Sequence, residues 1–453
     1  MAEYAENTNP APAIGHWPAP VSEKTPAQSS WPRLGWALAL AGTLLVGAAL
    51  RLVWVRDMEY KNDEWWMFQR VQNVGRTEPF PWLGQPSSVG VCTPGMSVWA
   101  FLWLGRLLDA QDPTTLARSV QVLSIAAIVL LLGFTLRVVP REEREPWLWA
   151  AALVSVDPLT VIYHRKMWMP SLFPMLTMLM LMGWWRRDRR WGAFLWGVVG
   201  ACLGQIQMGG FFFAAGFAAW ALLFDRRRVR WLGWLAGSCL GALPLLPWLG
   251  HMVTGLHGGP SQACSWHHYL IFHFWSRWFF NPLGLTLQFS LGNDFKDFLS
   301  YPVAGGHPTY LVAVLHGLIF LVGMVVLLRA SYRLWRDRPP LREVCIGKDS
   351  PTAFTVGAAL WGYGILLTAS SLPVHRHYLI ILFPLGFVWL ARLALGRAAT
   401  PKLGRSLLAT LGVAQCLVTV AFLYYIHVNQ RDIPGDYRMP YGAQARARMT
   451  NSE

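Results

Sequence analysis

Three short stretches bring together side chains able to move a proton or hold an anion. In Lys61-Asn62-Asp63-Glu64-Trp65-Trp66, two acids open a segment in which Met67, Val71 and Val74 recur at helical spacing, with Phe68 beside them and Gly75 as a stop. A carboxylate at such a start either caps the helix, worth about 1 kcal/mol, or sits at an oily interface that raises its pKa and takes a proton from a hydroxyl. The second stretch runs from Val156-Asp157-Pro158 to Tyr163-His164-Arg165-Lys166, and the third is Pro373-Val374-His375-Arg376-His377-Tyr378. Arg grips phosphate bidentately and Lys holds it as a point charge. With Arg118 as a fourth basic contributor, one acid and several cations in one cavity suit a substrate with a phosphate leaving group. The plainer reading is that these cations snorkel to lipid headgroups.

The elements that must position these residues follow from composition. The 453 residues are 54% apolar and 14% charged, against roughly 25% charged in a soluble domain. Ordinary soluble enzymes and disordered chains are thereby excluded. A net charge of +15 in an apolar chain points to nucleic acid or to a membrane with a sidedness rule, and the position of the basic residues decides for the membrane. Apolar blocks at about 34–55, 115–138, 147–163, 170–185, 191–207, 209–224, 231–253, 308–329, 352–371, 378–396 and 405–427 match the roughly 17–25 residues a span needs. Block 94–108 makes a helix of only about 22 Å. If it stays out of the bilayer, the segments on the N-terminal side hold 23 of the 39 Lys and Arg against 11 acids, or +12 of the +15, as the positive-inside tendency asks.

The predicted fold is an all-α polytopic membrane protein with about eleven transmembrane helices and interfacial helices in the first outer loop. Residues 1–31 read as a disordered cytoplasmic tail, 32–427 as the transmembrane domain with outer loops 56–114 and 254–307, and 428–453 as a short extracytoplasmic tail. Thr93 and Pro94 start the interfacial helix. Trp, Phe and Tyr runs in both outer loops fit an aromatic belt. Of the six Cys, only Cys92 and Cys264 fall outside the cytoplasm, so a bridge between them stays open; no CxxC pair marks a zinc site. His257, His267, His268, His273 and His307 dot the second loop, but adjacent His267 and His268 point apart on a helix. The loop reads better as a cover than as a metal site.

Taken in order, Arg51-Leu52 ending the first span, Asp63-Glu64 opening a helix, Thr93-Pro94 before the interfacial helix, Arg118, a Pro-bearing span leading to Arg165, and Arg376-His377-Tyr378 with a Pro downstream resemble the GT-C superfamily of membrane glycosyltransferases. Within it they look most like the protein O-mannosyltransferase and aminoarabinose-transferase branch. The likeness spans about residues 35–395. It implies an enzyme of the bacterial inner or plasma membrane, N-terminus cytoplasmic and active site extracytoplasmic. Such an enzyme moves a hexosyl or pentosyl group from a polyprenyl-phosphate carrier, usually with inversion, to a lipid, glycan or protein acceptor. Asp63 matches the acid that the family uses as general base or acceptor-orienting group, with Glu64 beside it, and Arg165 and Arg376 match positions where the family holds the carrier phosphate or shapes the donor site. Lys166 and Arg118 add donor contacts, and His164, His375, His377 and Tyr378 line the substrate site. The branch's Lys before the interfacial helix is Thr93 here, and no acid follows Arg165 in Met167-Trp168-Met169-Pro170-Ser171; the second departure weakens the case for a divalent metal. Rival readings are a transporter or flippase, which would place ionisable residues within its spans, and a non-catalytic partner in envelope glycan or lipid assembly. Neither involves nucleic acid.

Overall fold

The computed structural model describes residues 33–86, 92–254, 273–348, 350–370, 374–396 and 401–450, which are mostly helical. Six helices among them are long and apolar enough to cross a membrane: Gly35–Leu52, Pro113–Arg137, Trp231–Val253, Leu311–Asp337, Pro351–Ala369 and Lys402–Asn429. The pair Arg376–Leu382 and Leu385–Leu395, bent by 73°, adds a seventh candidate; Pro384 lies at the bend and removes a backbone donor there. The eleven hydropathy blocks therefore divide. Block 147–163 is cut by Pro158 into α5 (Arg144–Val156) and α6 (Pro158–Tyr163). Helices Phe173–Trp185, Arg190–Ile206 and Gly209–Phe224 have 13, 17 and 16 residues, or about 20–26 Å. Hydropathy sums apolar residues and does not see where a proline or a turn ends the helix.

The joint between α1 (Arg33–Leu52) and α5 shows why Pro158 matters. Pro158 has no N–H to offer the Val154 carbonyl four residues back, and the same break removes the donor for Ser155. Gly47 lets α1 come close, since a Cβ there would stand 2.6 Å from the Ser155 carbonyl oxygen. Arg51 then reaches across, donating from Nη2 to Val154 O (2.9 Å) and from Nη1 to Ser155 O (2.7 Å) and Gly47 O (2.9 Å). The last carbonyls of α1 lack intrahelical donors in turn. Arg165 supplies them, donating to Leu50 O (2.6 Å), Arg51 O (3.2 Å) and Trp54 O (2.9 Å), where positive charge also suits the helix dipole.

After α1 come α2 (Asn62–Asn73), an antiparallel hairpin of β1 (Leu83–Pro86) and β2 (Cys92–Pro94), α3 (Met96–Leu107) and α4 (Pro113–Arg137). The 94–108 block is thus the 12-residue α3, about 18 Å long and too short to span. It packs on α2 so closely that a Cβ on Gly105 would collide with Val71.

The stretch after Asn429, which the sequence marks only as a short tail, folds back over this region. Tyr437 donates from its hydroxyl to Asp57 O and from its backbone N to Ser290 O (3.0 Å), and Asp436 N donates to Phe289 O (2.8 Å). Pro440 bridges Glu59, and the Tyr441 hydroxyl donates to Asp112 (2.8 Å). The helix Tyr441–Thr450 completes the cover.

Candidate active site

The folded-back segment and the start of α2 enclose an open cleft of about 1060 Å³. Tyr60, Lys61, Asp63 and Trp65 line one side, and Asp432, Asp436, Arg438 and Arg448 the other. Asp63, the second residue of α2, is half-buried and accepts from Gln85 Nε2 (2.7 Å). Gln85 belongs to β1, and its carbonyl is held by the Thr93 hydroxyl (3.1 Å). The hairpin therefore aims Asp63 from behind and leaves its carboxylate on the cleft wall.

Glu64 turns the other way and is fully buried. It accepts from Lys61 N (3.2 Å) and lies 3.3 Å from Lys166 Nζ, which also meets Glu59 at 2.9 Å. Lys61 Nζ closes the group, 2.6 Å from Glu59. Burial pushes the Glu64 carboxyl above its ordinary range, with Lys166 drawing it down and Glu59 pushing it up. Burial would lower the Lys166 ammonium, yet Glu59 and Glu64 outweigh it and hold it above its ordinary value. The ammonium also lies 3.9 Å from the Trp168 ring centroid, a cation–π contact. The buried, desolvated carboxylate is thus Glu64 rather than Asp63, which lines the cleft.

Arg376 links the cleft, through Asp436, to a second space. It is 8% exposed, donates to Thr286 O (3.0 Å) and Ser290 Oγ (3.3 Å), and pairs with Asp436 at 2.6 Å. Asp436 lines the cleft, whereas Arg376 itself lines a narrow apolar crevice of about 60 Å³ with Tyr163, His164, Arg277 and side chains such as Leu379, Phe383 and Phe387. Arg277 donates to the Val374 carbonyl beside it.

No protein-family model matches the chain, and no curated protein matches it either. Among solved structures, the oligosaccharyltransferase of Archaeoglobus fulgidus in the apo form is similar at 16% identity and a TM-score of 0.43, covering 88% of this chain and 56% of that one. The archaeal oligosaccharyltransferase AglB from the same organism, in complex with an inhibitory peptide and a dolichol-phosphate, is similar at 15% identity and a TM-score of 0.45, covering 87% and 56%. The chain spans little more than half the length of these proteins.

The cations expected around one phosphate are dispersed. Arg118 is exposed on α4, Arg165 caps α1, Lys166 is held by two carboxylates, and only Arg376 lines the crevice. The physical reason is that helix ends and buried acids claim a cation before any ligand does. His164 also lines the crevice. His375, His377 and Tyr378 form an aromatic stack apart from both spaces, His377 lying 5.4 Å from His375 and 4.7 Å from Tyr378 between ring centroids. His257, His267, His268 and Cys264 lie outside the described residues. No group of three or more His, Cys, Asp or Glu among the described residues has metal-holding geometry. The buried acids beside Asp63 are already neutralised by Lys61 and Lys166, so this donor set does not fit a divalent cation. Sequence reasoning missed Glu59, Arg277 and Asp436. Glu59 has a local signal, an acid two residues from Lys61 in an aromatic stretch; Asp436 has none, because its role depends on the fold-back.

Proposed function

We propose that this chain is an integral membrane glycosyltransferase of the GT-C type. It moves a hexosyl or pentosyl group, with inversion, from a polyprenyl-phosphate carrier to an acceptor on the extracytoplasmic face of a bacterial inner or plasma membrane. The resemblance in the order of its motifs supports the protein O-mannosyltransferase and aminoarabinose-transferase branch, and the charge distribution supports a cytoplasmic N-terminus. The observation that carries the reading is that Arg376 lines a crevice rich in apolar side chains and pairs with Asp436, which walls the same polar cleft as Asp63. A lipid-linked phosphate needs that combination: apolar walls for the chain, a cation for the phosphate and a wet space for sugar and acceptor.

In the reaction, the acceptor hydroxyl gives its proton to Asp63 as its oxygen bonds to the anomeric carbon. The bond from that carbon to the phosphate oxygen breaks, and the phosphate leaves with the electron pair, its charge met by Arg376. Glu59, Glu64 and Lys166 form the neutralised floor that holds α2 in place.

The test is transfer of labelled sugar from polyprenyl-phosphate donors by the purified protein in proteoliposomes. Asp63→Asn keeps the Gln85 contact feasible and should lower turnover by about 10²- to 10⁴-fold. Full activity in that variant would remove Asp63 from the mechanism. Absence of transfer with every hexosyl and pentosyl donor would favour a non-catalytic role.

A further inference from the structure

One polar group of the crevice, His164, has its protonation dictated by the fold. His164 is 1% exposed and lines the crevice with Arg277 and Arg376. Its Nδ1 faces Arg51, lying 3.1 Å from Nε and 3.1 Å from Nη2. A guanidinium has five N–H donors and no acceptor, so Nδ1 must be the unprotonated acceptor and the ring proton must sit on Nε2. Arg51 is not free to turn away. Its other contacts are the carbonyls of Gly47, Ser155 and Val154, so five contacts match its five N–H groups. Nε2, on the opposite edge of the ring, has no hydrogen-bond partner among the described residues, and that edge is the polar one left for the crevice.

We infer that His164 is a neutral hydrogen-bond donor to the phosphate of the lipid-linked substrate, with Arg51 as the positioning residue that fixes its tautomer. The inference rests on the reading of Arg376 as the phosphate cation. A phosphodiester offers only acceptor oxygens, and a pre-oriented N–H in a dry site meets one without reorganisation. An imidazolium would place an N–H on Nδ1 against the N–H groups of Arg51. The charged and titratable groups facing His164 are Arg51 from α1, Asp157 and Tyr163 on its own segment, and Arg277 and Arg376 across the crevice. Charge on the phosphate is therefore met by the arginines, and direction by His164.

The experiment measures binding of undecaprenyl methyl phosphate, a phosphodiester without sugar, to the full-length protein in nanodiscs, with undecaprenol as the uncharged control. In His164→Gln the amide oxygen can accept from Arg51 and the amide N–H can point into the crevice, so affinity should stay within about three-fold of wild type. In His164→Phe both contacts are lost, and affinity should fall about ten- to a hundred-fold. Between about pH 5.5 and 7.5, where a free imidazole titrates, wild type and His164→Gln should show superimposable pH profiles, because Asp157 and the other facing groups are common to both. Tightening toward low pH in wild type alone would mean that a charged imidazolium binds, and would overturn the proposal. So would wild-type affinity in His164→Phe, with the function reading left intact. If the wild type does not distinguish the phosphodiester from undecaprenol, the phosphate reading and this inference fall together. The pH comparison does not depend on His164→Phe folding.

Discussion

Arg165 and Arg376 are both buried arginines, 2% and 8% exposed, and both are expected from the sequence at the donor site. Their partners differ in kind. Arg165 faces the carbonyls of Leu50 and Arg51 at the end of α1 and of Trp54 just past it, and the first two cannot leave without unravelling the helix. Arg376 faces the carboxylate of Asp436, on a folded-back segment with a side chain 64% exposed. A carboxylate at the water's edge can exchange for another anion; a helix end cannot. The contrast separates a cation that builds the scaffold from one that can serve a ligand, although the sequence gives both the same surroundings of aromatic and aliphatic residues.

The largest expected effect tests the scaffold side. Arg165→Ala leaves the Leu50 and Arg51 carbonyls without donors, at about 1–3 kcal/mol each, while the Trp54 carbonyl keeps Asp57 N at 2.9 Å; the loss should sharply reduce accumulation of folded protein. Size-exclusion chromatography in detergent reads this directly. A monodisperse Arg165→Ala protein with normal thermal stability and weakened donor binding would break the comparison, because Arg165 would then act as Arg376 is held to do.

Lys166 is the intermediate case, since its partners are charged but buried. Lys166→Met takes the ion-pair partner from buried Glu64 and leaves Glu59 with Lys61 alone, at about 3–5 kcal/mol when a buried pair loses one member. The pH dependence has a definite sign. Burial already raises Glu64 in the folded state, and removal of the lysine raises it further, so the folded protein holds its proton more tightly than the unfolded chain does. The deficit is then largest above the folded-state value and shrinks as the pH falls toward about 4.3, the unfolded value. Melting temperatures of variant and wild type should converge on acidification. A pH-independent gap would show that packing rather than charge sets the loss.

Much of the fold was legible because its signals are local. Apolar blocks became helices, 94–108 became a short helix off the long spans, and Asp63 and Glu64 fell at the start of α2. The span count was less legible. Pro158 and Pro384 interrupt apolar runs that hydropathy reads as continuous. Adjacent acids also cannot be assigned faces from sequence alone: about 100° of helical rotation puts Asp63 on the cleft and Glu64 in the interior, and the choice depends on where Lys166 lies. Least legible was the cleft wall. Asp436 meets Arg376 across 60 residues, and nothing within Pro434-Gly435-Asp436-Tyr437 indicates that this segment returns to Phe289 and Ser290.

The smaller effects belong to the exchangeable side. Arg376→Ala should cost the fold less than Arg165→Ala, since it takes the donor from a single backbone carbonyl, that of Thr286, while donor affinity falls about 10- to 100-fold through loss of charge-assisted hydrogen bonds. Asp436→Asn should act in the opposite direction. Asp436 competes with the incoming phosphate for the same guanidinium, and its own attraction is weakened by solvent, so its removal should strengthen donor binding only about two- to five-fold. Raised salt should narrow this difference, because screening weakens the exposed carboxylate more than a phosphate enclosed with Arg376. Weaker donor binding in Asp436→Asn would mean that the carboxylate orients Arg376 rather than occupying its anion seat. The two arginines would then be alike after all, both held in place by the fold.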